Sequence, residues 1–244
     1  MNLRDRLRAN WHKVLQEFHG ASQRRYLSPA MYVQYQVVLP LINKYVHGKM
    51  IDLGCGDMPF REFLINQVDS YDSLDLWPQV ENVTFVGDIE DMSMIEPCAY
   101  DSAICLEVLE HVPNPQQAIK EIYRILKPSG VVLFSVPHLS RLHHIPHDYF
   151  RFTPYGLTHL LQLAGFDVVD IQAKGGIFCF LGHQLSIIIM SICGEMPYLI
   201  RKIALAVTKH CITLPCYKMD QIWDPDRLFA LGYVAVARKP GDLC

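Results

Sequence analysis

Residues 50–56, Met-Ile-Asp-Leu-Gly-Cys-Gly, constrain the fold of this chain more than any other stretch. A short apolar run that ends in an acid and two alternating glycines reads as a buried strand turning tightly at its carboxyl end. Gly54 gives the backbone a conformation that a side chain would obstruct, and Gly56 lets the next segment approach a flat ligand closely. Gly-x-Gly alone also fits an ordinary turn. Asp75 adds what the motif lacks: it closes residues 71–75, Tyr-Asp-Ser-Leu-Asp, where a second parallel strand would deliver a carboxylate to a ribose diol.

A dinucleotide site would place a third glycine at position 59 and use free N–H groups for a pyrophosphate. This chain has Pro59, which has no N–H. A third acid, Asp88, follows residues 83–87, where another strand should end on the same sheet edge. Three carboxylates suit a cationic, phosphate-free ligand that offers a ribose diol, an amino group and an adenine N–H. From Lys49 to Ile171, and again in the final strand, the residues resemble the class I S-adenosylmethionine-dependent methyltransferases, particularly the small-molecule type 11 group. The resemblance implies S-adenosylmethionine as cofactor. Asp52, Gly54, Cys55 and Gly56 would form the methionine-side loop, Asp75 with Leu76 would hold the ribose, and Asp88 with Ile89 would frame the adenine. Residues 100–111 resemble the family's fourth strand and its following loop, with Leu106 and Glu107 facing the cofactor. One departure concerns the loop shape: Met58 stands where the family often has a further glycine. The competing reading makes Asp52 and Asp88 helix caps and Asp75 a solvated turn residue. Three acids in order, each after an apolar strand, weigh against it.

The 244 residues, half of them hydrophobic, suffice for a full core without staples. A net charge of −3 gives no basic footprint, so nucleic acid is not an expected partner. The eight cysteines are scattered without a Cys-x-x-Cys, and Cys105, Cys179 and Cys193 lie in apolar runs, as reduced thiols do. The amino-terminal residues lack the apolar core of a signal peptide, which points to the cytoplasm.

Strand and helix patterns alternate. The expected fold is α/β: a Rossmann-like, doubly wound, mostly parallel seven-stranded sheet with an antiparallel last strand and helices on both faces. Asn114-Pro115 opens a helix with Gln117 three residues after the cap, ended by residues 127–130; Thr153-Pro154 opens another that stops at Gly165. Residues 131–136 are a nearly unbroken apolar strand, as expected when both faces are covered. Strands 166–171 and 231–238 complete the sheet. The expected organisation is one methyltransferase domain: a helical cover over 1–47, a cofactor core over 48–171, an apolar helical insertion over 172–222, and a final strand with tail over 223–244.

Residues 138–152 carry four histidines, Asp148 and three aromatic rings, an unusual composition for a loop. Methyl transfer to oxygen requires removal of a proton near neutral pH, where imidazole titrates and a carboxylate can orient it. His147 beside Asp148 is the first candidate base, and His138, directly after the strand, the second. His143, His144, His147 and Asp148 could converge on a metal, but their spacing matches no specific zinc pattern, and no metal site is assigned. His111 is expected to support the loop.

After the fourth strand there is neither an Asn/Asp-Pro-Pro-aromatic stretch nor a Pro-Cys nucleophile, which argues against nucleobase methylation. The expected acceptor is therefore a small molecule, a sugar or a lipid-linked precursor, methylated at oxygen. The rival readings are a non-catalytic nucleoside-binding or membrane-docked interaction protein and a nicotinamide oxidoreductase. Residues 177–193 contain no Asp, Glu, Lys or Arg. Small and polar residues interrupt them, which excludes a transmembrane helix. With the following helix, the segment 177–211 suits a pocket cap, a homodimer interface or peripheral contact with the inner face of a membrane.

Overall fold

The computed structural model describes residues 3–18 and 23–241; the last three residues of the expected tail lie outside this range. Its helices are α1 (Leu3–Glu17), α2 (Pro29–Tyr45), α3 (Arg61–Leu64), α4 (Pro115–Ile125), α5 (Pro154–Leu163), α6 (Ile177–Cys193), α7 (Tyr198–Val207) and α8 (Leu214–Trp223). The strands are β1 (Lys49–Leu53), β2 (Ser70–Asp75), β3 (Phe85–Val86), β4 (Tyr100–Leu106), β5 (Leu126–Pro137), β6 (Asp167–Lys174) and β7 (Gly232–Arg238). Two compact units emerge: residues 38–172 with 232–244, and residues 1–37 with 173–231. Residues 1–37 thus group with the helices after β6 in one helical unit.

The sheet runs in the order β3-β2-β1-β4-β5-β7-β6. Neighbours from β3 to β5 are parallel, whereas β7 runs antiparallel to β5, as expected for the last strand. Paired on both sides, β1 buries Met50, Ile51 and Leu53 completely. Helices flank the sheet: Ile119 and Ile122 of α4 and Leu157 and Leu161 of α5 pack in one core with Val132 and Phe134 of β5. The caps form locally, with Asn114 accepting from the Gln117 N–H at 3.2 Å and Thr153 accepting from Gly156 at 3.0 Å. β3 is shorter than expected. The Gly87 N–H still reaches the Asp75 carbonyl at 3.2 Å, but Asp88 then bends the chain by accepting from the Glu90 N–H at 2.9 Å. Strand order reverses between β1 and β4, and in such sheets the crevice outside those carboxyl ends takes the ligand.

In the helical unit, Trp11 and Val14 of α1 and Phe18 just after it pack with Leu27, Met190, Ala204 and Leu205. The start of α6 is held from a distance. The buried Asp220 carboxylate accepts from the N–H groups of Gly176, Phe178 and Cys179 at 2.7, 2.8 and 3.1 Å, and Asp224 accepts from Ile177 at 2.9 Å. Among the described residues, no helix is long and apolar enough to cross a membrane. Cys105, Cys179 and Cys193 are free thiols, as expected, whereas Cys98 is disulfide-bonded.

Candidate active site

The loop after β1 is tied to the end of β2: Gly54 and Cys55 both donate to the Leu74 carbonyl, at 2.8 and 3.2 Å. Both glycines are left-handed, Gly54 at φ +68° and Gly56 at +53°. Their surroundings differ. A Cβ on Gly54 would lie 2.4 Å from Val108 Cγ2, whereas one on Gly56 would meet only Gln79 Nε2, at 3.9 Å. Gly54 is therefore required by the protein itself, and Gly56 borders open space that a ligand can enter. Met58 also takes a left-handed conformation, φ +55°, so the loop keeps the backbone shape that glycine would give.

Asp75 is both a brace and an acceptor. One carboxylate oxygen accepts from Gly56 N–H and the other from Trp77 N–H, each at 2.8 Å. Each oxygen retains lone-pair capacity for a ribose hydroxyl. Asp52 is 5% exposed and accepts from the Tyr71 hydroxyl at 2.8 Å. Burial pushes its pKa up to about 7 against the opposing pull of that hydrogen bond. Cys55 packs as a hydrophobe, its thiol pushed up to about 12 by burial and the neighbouring Asp52 and Asp75. Asp88 is exposed at the rim, while Ile89 is buried in the core. Leu76 is exposed, followed by Trp77 at 64% exposure, a ring that sequence reading passed over. Leu106 ends β4, and Glu107 follows at φ +58°, a strained conformation of the kind that gathers at functional sites. Its carboxylate accepts from the Ser135 hydroxyl at 2.5 Å.

The histidine-rich loop is organised differently from expectation. Asp148 does not pair with the His147 ring. Arg151 grips its carboxylate with two N–H groups at 2.6 and 2.8 Å, and it also accepts from the His143 N–H at 2.7 Å. These bonds, Arg151 foremost, hold the carboxyl far below its usual range, and burial opposes them. The exposed His147 ring places Nδ1 3.1 Å from the Tyr149 hydroxyl and stacks at a tilt on Trp77, with centroids 5.4 Å apart. His138 is half-buried beside Tyr233, and its Nδ1 lacks a hydrogen-bond partner. Among the described residues, the group that could share an ion is Glu110, His111 and His143, rather than the set of His143, His144, His147 and Asp148 considered from the sequence. Sequence reading gave Glu110 no role. The available signal was an acid beside a histidine just beyond β4, four residues after the strand end.

Open space at Gly56, a strand-end carboxylate with free acceptor capacity and the buried Asp52 carboxyl together fit a cationic nucleoside. The family model of the methyltransferase domain matches residues 22–171. Ubiquinone biosynthesis O-methyltransferase of Burkholderia thailandensis is 27% identical over 164 residues, covering 54% of this chain and 71% of that protein. Among solved structures, the [4+2]-cyclase SpnF aligns with a TM-score of 0.58 at 16% identity, over 85% of this chain and 81% of its own. The 1,6-didemethyltoxoflavin-N1-methyltransferase of B. thailandensis, solved with S-adenosylhomocysteine, aligns with a TM-score of 0.52 at 18% identity, over 98% of this chain and 87% of its own. These structural likenesses establish the fold. With the family match over most of the chain, they place it in the methyltransferase domain family, as an enzyme that uses S-adenosylmethionine.

Proposed function

We propose that this enzyme methylates a hydroxyl oxygen of a small or lipid-linked acceptor, with His147 as the base. The carrying observation is the stacking of the exposed His147 imidazole on Trp77, whose N–H is bonded to the ribose-site residue Asp75. The base candidate thus stands at the rim of the cofactor loop, with Nδ1 engaged by Tyr149 and Nε2 directed elsewhere. The name of the Burkholderia relative, an O-methyltransferase, supports the same reading. Bound S-adenosylmethionine supplies an electrophilic methyl group. Asp75, Gly56 and Asp52 would hold and orient it, with Glu107 beside them at the end of β4, and His147 would accept the acceptor's proton. His138 is the second candidate for that role.

Residues 177–211 support a peripheral contact with an anionic bilayer. Leu181, Leu185, Ile188 and Ile192 recur along one side of α6 and are each at least half exposed, with Lys202 exposed on α7.

The decisive experiment incubates the purified protein with methyl-labelled S-adenosylmethionine and a panel of phenols, sugars and prenylated phenols, and locates the transferred methyl by NMR. A methoxy product, lost in His147→Ala while S-adenosylhomocysteine still binds, supports the reading. A methyl on nitrogen or carbon overturns it.

A further inference from the structure

We propose that Glu110, His111 and His143 form a binding site for one divalent transition-metal ion, zinc being the ion that best matches this ligand set. Glu110 lies in the 3-10 turn Leu109–His111 directly beyond β4, and its side chain is fully buried. Neither of its carboxylate oxygens has a hydrogen-bond partner. A buried carboxylate left so is costly unless it is protonated or paired with a cation, be it a protonated imidazole or a metal ion. Two imidazole nitrogens face it: His111 Nε2 stands 3.7 Å and His143 Nε2 3.6 Å from Glu110 Oε1. Those separations are too long for hydrogen bonds. They suit ligands that share an ion, because tetrahedral zinc with bonds of about 2.1 Å spaces its ligand atoms roughly 3.4 Å apart. All three donor atoms lie within 4.8 Å of one another.

The surroundings orient both rings for this task. His111 Nδ1 is 2.5 Å from the His147 carbonyl. His143 Nδ1 is 3.3 Å from the Arg141 carbonyl and 3.5 Å from Asp148 Oδ2. An acceptor at Nδ1 places the proton there and leaves the Nε2 lone pair for a metal, the arrangement that metal-binding histidines usually show. Asp148 is itself fixed by Arg151, so the orienting carboxylate has a defined position. The loop carrying His143 is pinned to the same point, with Tyr149 and Phe150 N–H donating to the Glu110 carbonyl at 2.8 and 3.3 Å. The His144 ring packs edge-on against His111 and His143, with centroids 5.0 and 5.5 Å away, and closes one side. Carboxylate and imidazole are borderline ligands, which favour zinc and its first-row neighbours over magnesium or calcium. Three protein ligands leave a fourth position open, as catalytic zinc sites do.

The test strips the full-length protein with a chelator, removes the chelator by gel filtration, and titrates zinc and cobalt(II) separately. Bound metal is measured by mass spectrometry, and cobalt geometry by its visible absorption. We expect about one ion per chain, a tetrahedral cobalt spectrum, and at least tenfold weaker binding in Glu110→Gln and His143→Ala. His159→Ala, an exposed histidine on α5, should bind as the wild type does. S-adenosylhomocysteine calorimetry on each variant reports whether it is folded. His143→Ala, which changes a loop residue, decides the matter if Glu110→Gln fails to fold. Binding below one ion per chain, or equal metal affinity in wild type and His143→Ala, overturns the site. Metal binding does not depend on the acceptor: a nitrogen-methylated product would remove the proposed function and leave this site intact.

Discussion

Asp52 sits at a pKa of about 7 because burial disfavours its charge, and its proposed place in the cofactor loop predicts binding that is sensitive to pH near neutrality. The folded value lies above the ordinary 3.8, so between the two the folded chain holds this proton more tightly than the unfolded chain. Its contribution to stability is therefore greatest at low pH and declines as pH rises through that interval to about 7. Ligand binding has the opposite preference. A cofactor ammonium beside the methionine loop favours the carboxylate, so affinity for S-adenosylhomocysteine should fall as pH drops below 7, with proton release on binding. Calorimetry in two buffers of different ionisation enthalpy measures that release. A pH-independent affinity, unchanged in Asp52→Asn, would place the ammonium elsewhere. The two glycines make a second test at the same scale. Gly56→Ala adds a methyl toward open space and should weaken cofactor binding at least tenfold, at a stability cost of about 1 kcal/mol from its left-handed backbone. Gly54→Ala, which is left-handed too and also collides with Val108, should lower the melting temperature further. Asp75→Ala should weaken binding by about 1–3 kcal/mol. Since Asp75 also braces Gly56 and Trp77, part of that loss belongs to the loop. Equal affinity in Asp75→Ala and wild type would remove Asp75 from the ribose site.

Among the elements, α6 depends on a carboxylate from another helix. Its first turn offers three N–H groups to Asp220 and one to Asp224, inside an apolar unit. Asp220→Ala should therefore cost about 2–4 kcal/mol in urea unfolding, from a lost cap and several buried donors left unpaired. A loss under about 0.5 kcal/mol would mean that water replaces the carboxylate. This dependence marks what sequence could and could not show. Asn114 and Thr153 cap their helices from adjacent positions, and their pattern is legible because the physics is local. Asp220 lies more than forty residues from the turn it caps, and no spacing rule connects them. The same distinction divides the active site. The Gly56–Asp75 pairing was legible because successive parallel strands deliver residues to one sheet edge. Glu110 and His143 meet only because the loop after β5 folds back onto the Glu110 carbonyl. The expected His147–Asp148 pairing failed for a related reason: sequence neighbours turned apart once Arg151 offered Asp148 a bidentate partner.

At the scale of the molecule, the alternation of strands and helices predicted the sheet but not the union of residues 1–37 with 173–231. Trp11, Val14 and Phe18 announced an apolar face without naming what it would cover, and Met190 and Leu205 turned out to be the answer. One apolar face in that unit has no cover among the described residues. Leu185 is 50% exposed and Ile188 56% exposed, three residues apart on α6, and Leu199 and Ile203 are likewise exposed on α7. Arg201 is committed to Glu17 at 2.6 Å, whereas Lys202 is exposed on α7 beside this surface. An apolar stripe with an adjacent cation matches a surface that lies at the boundary of an anionic membrane. The full-length protein should therefore cosediment with vesicles containing anionic lipid more than with neutral vesicles, and less as salt is raised. Leu185→Asp with Ile188→Asp should abolish cosedimentation and leave S-adenosylhomocysteine affinity unchanged, because neither residue belongs to the sheet unit that carries the cofactor loop. If the wild type stays in the supernatant with both vesicle types but sediments as a dimer that these substitutions dissociate, the face is an interface between two copies and the membrane reading fails.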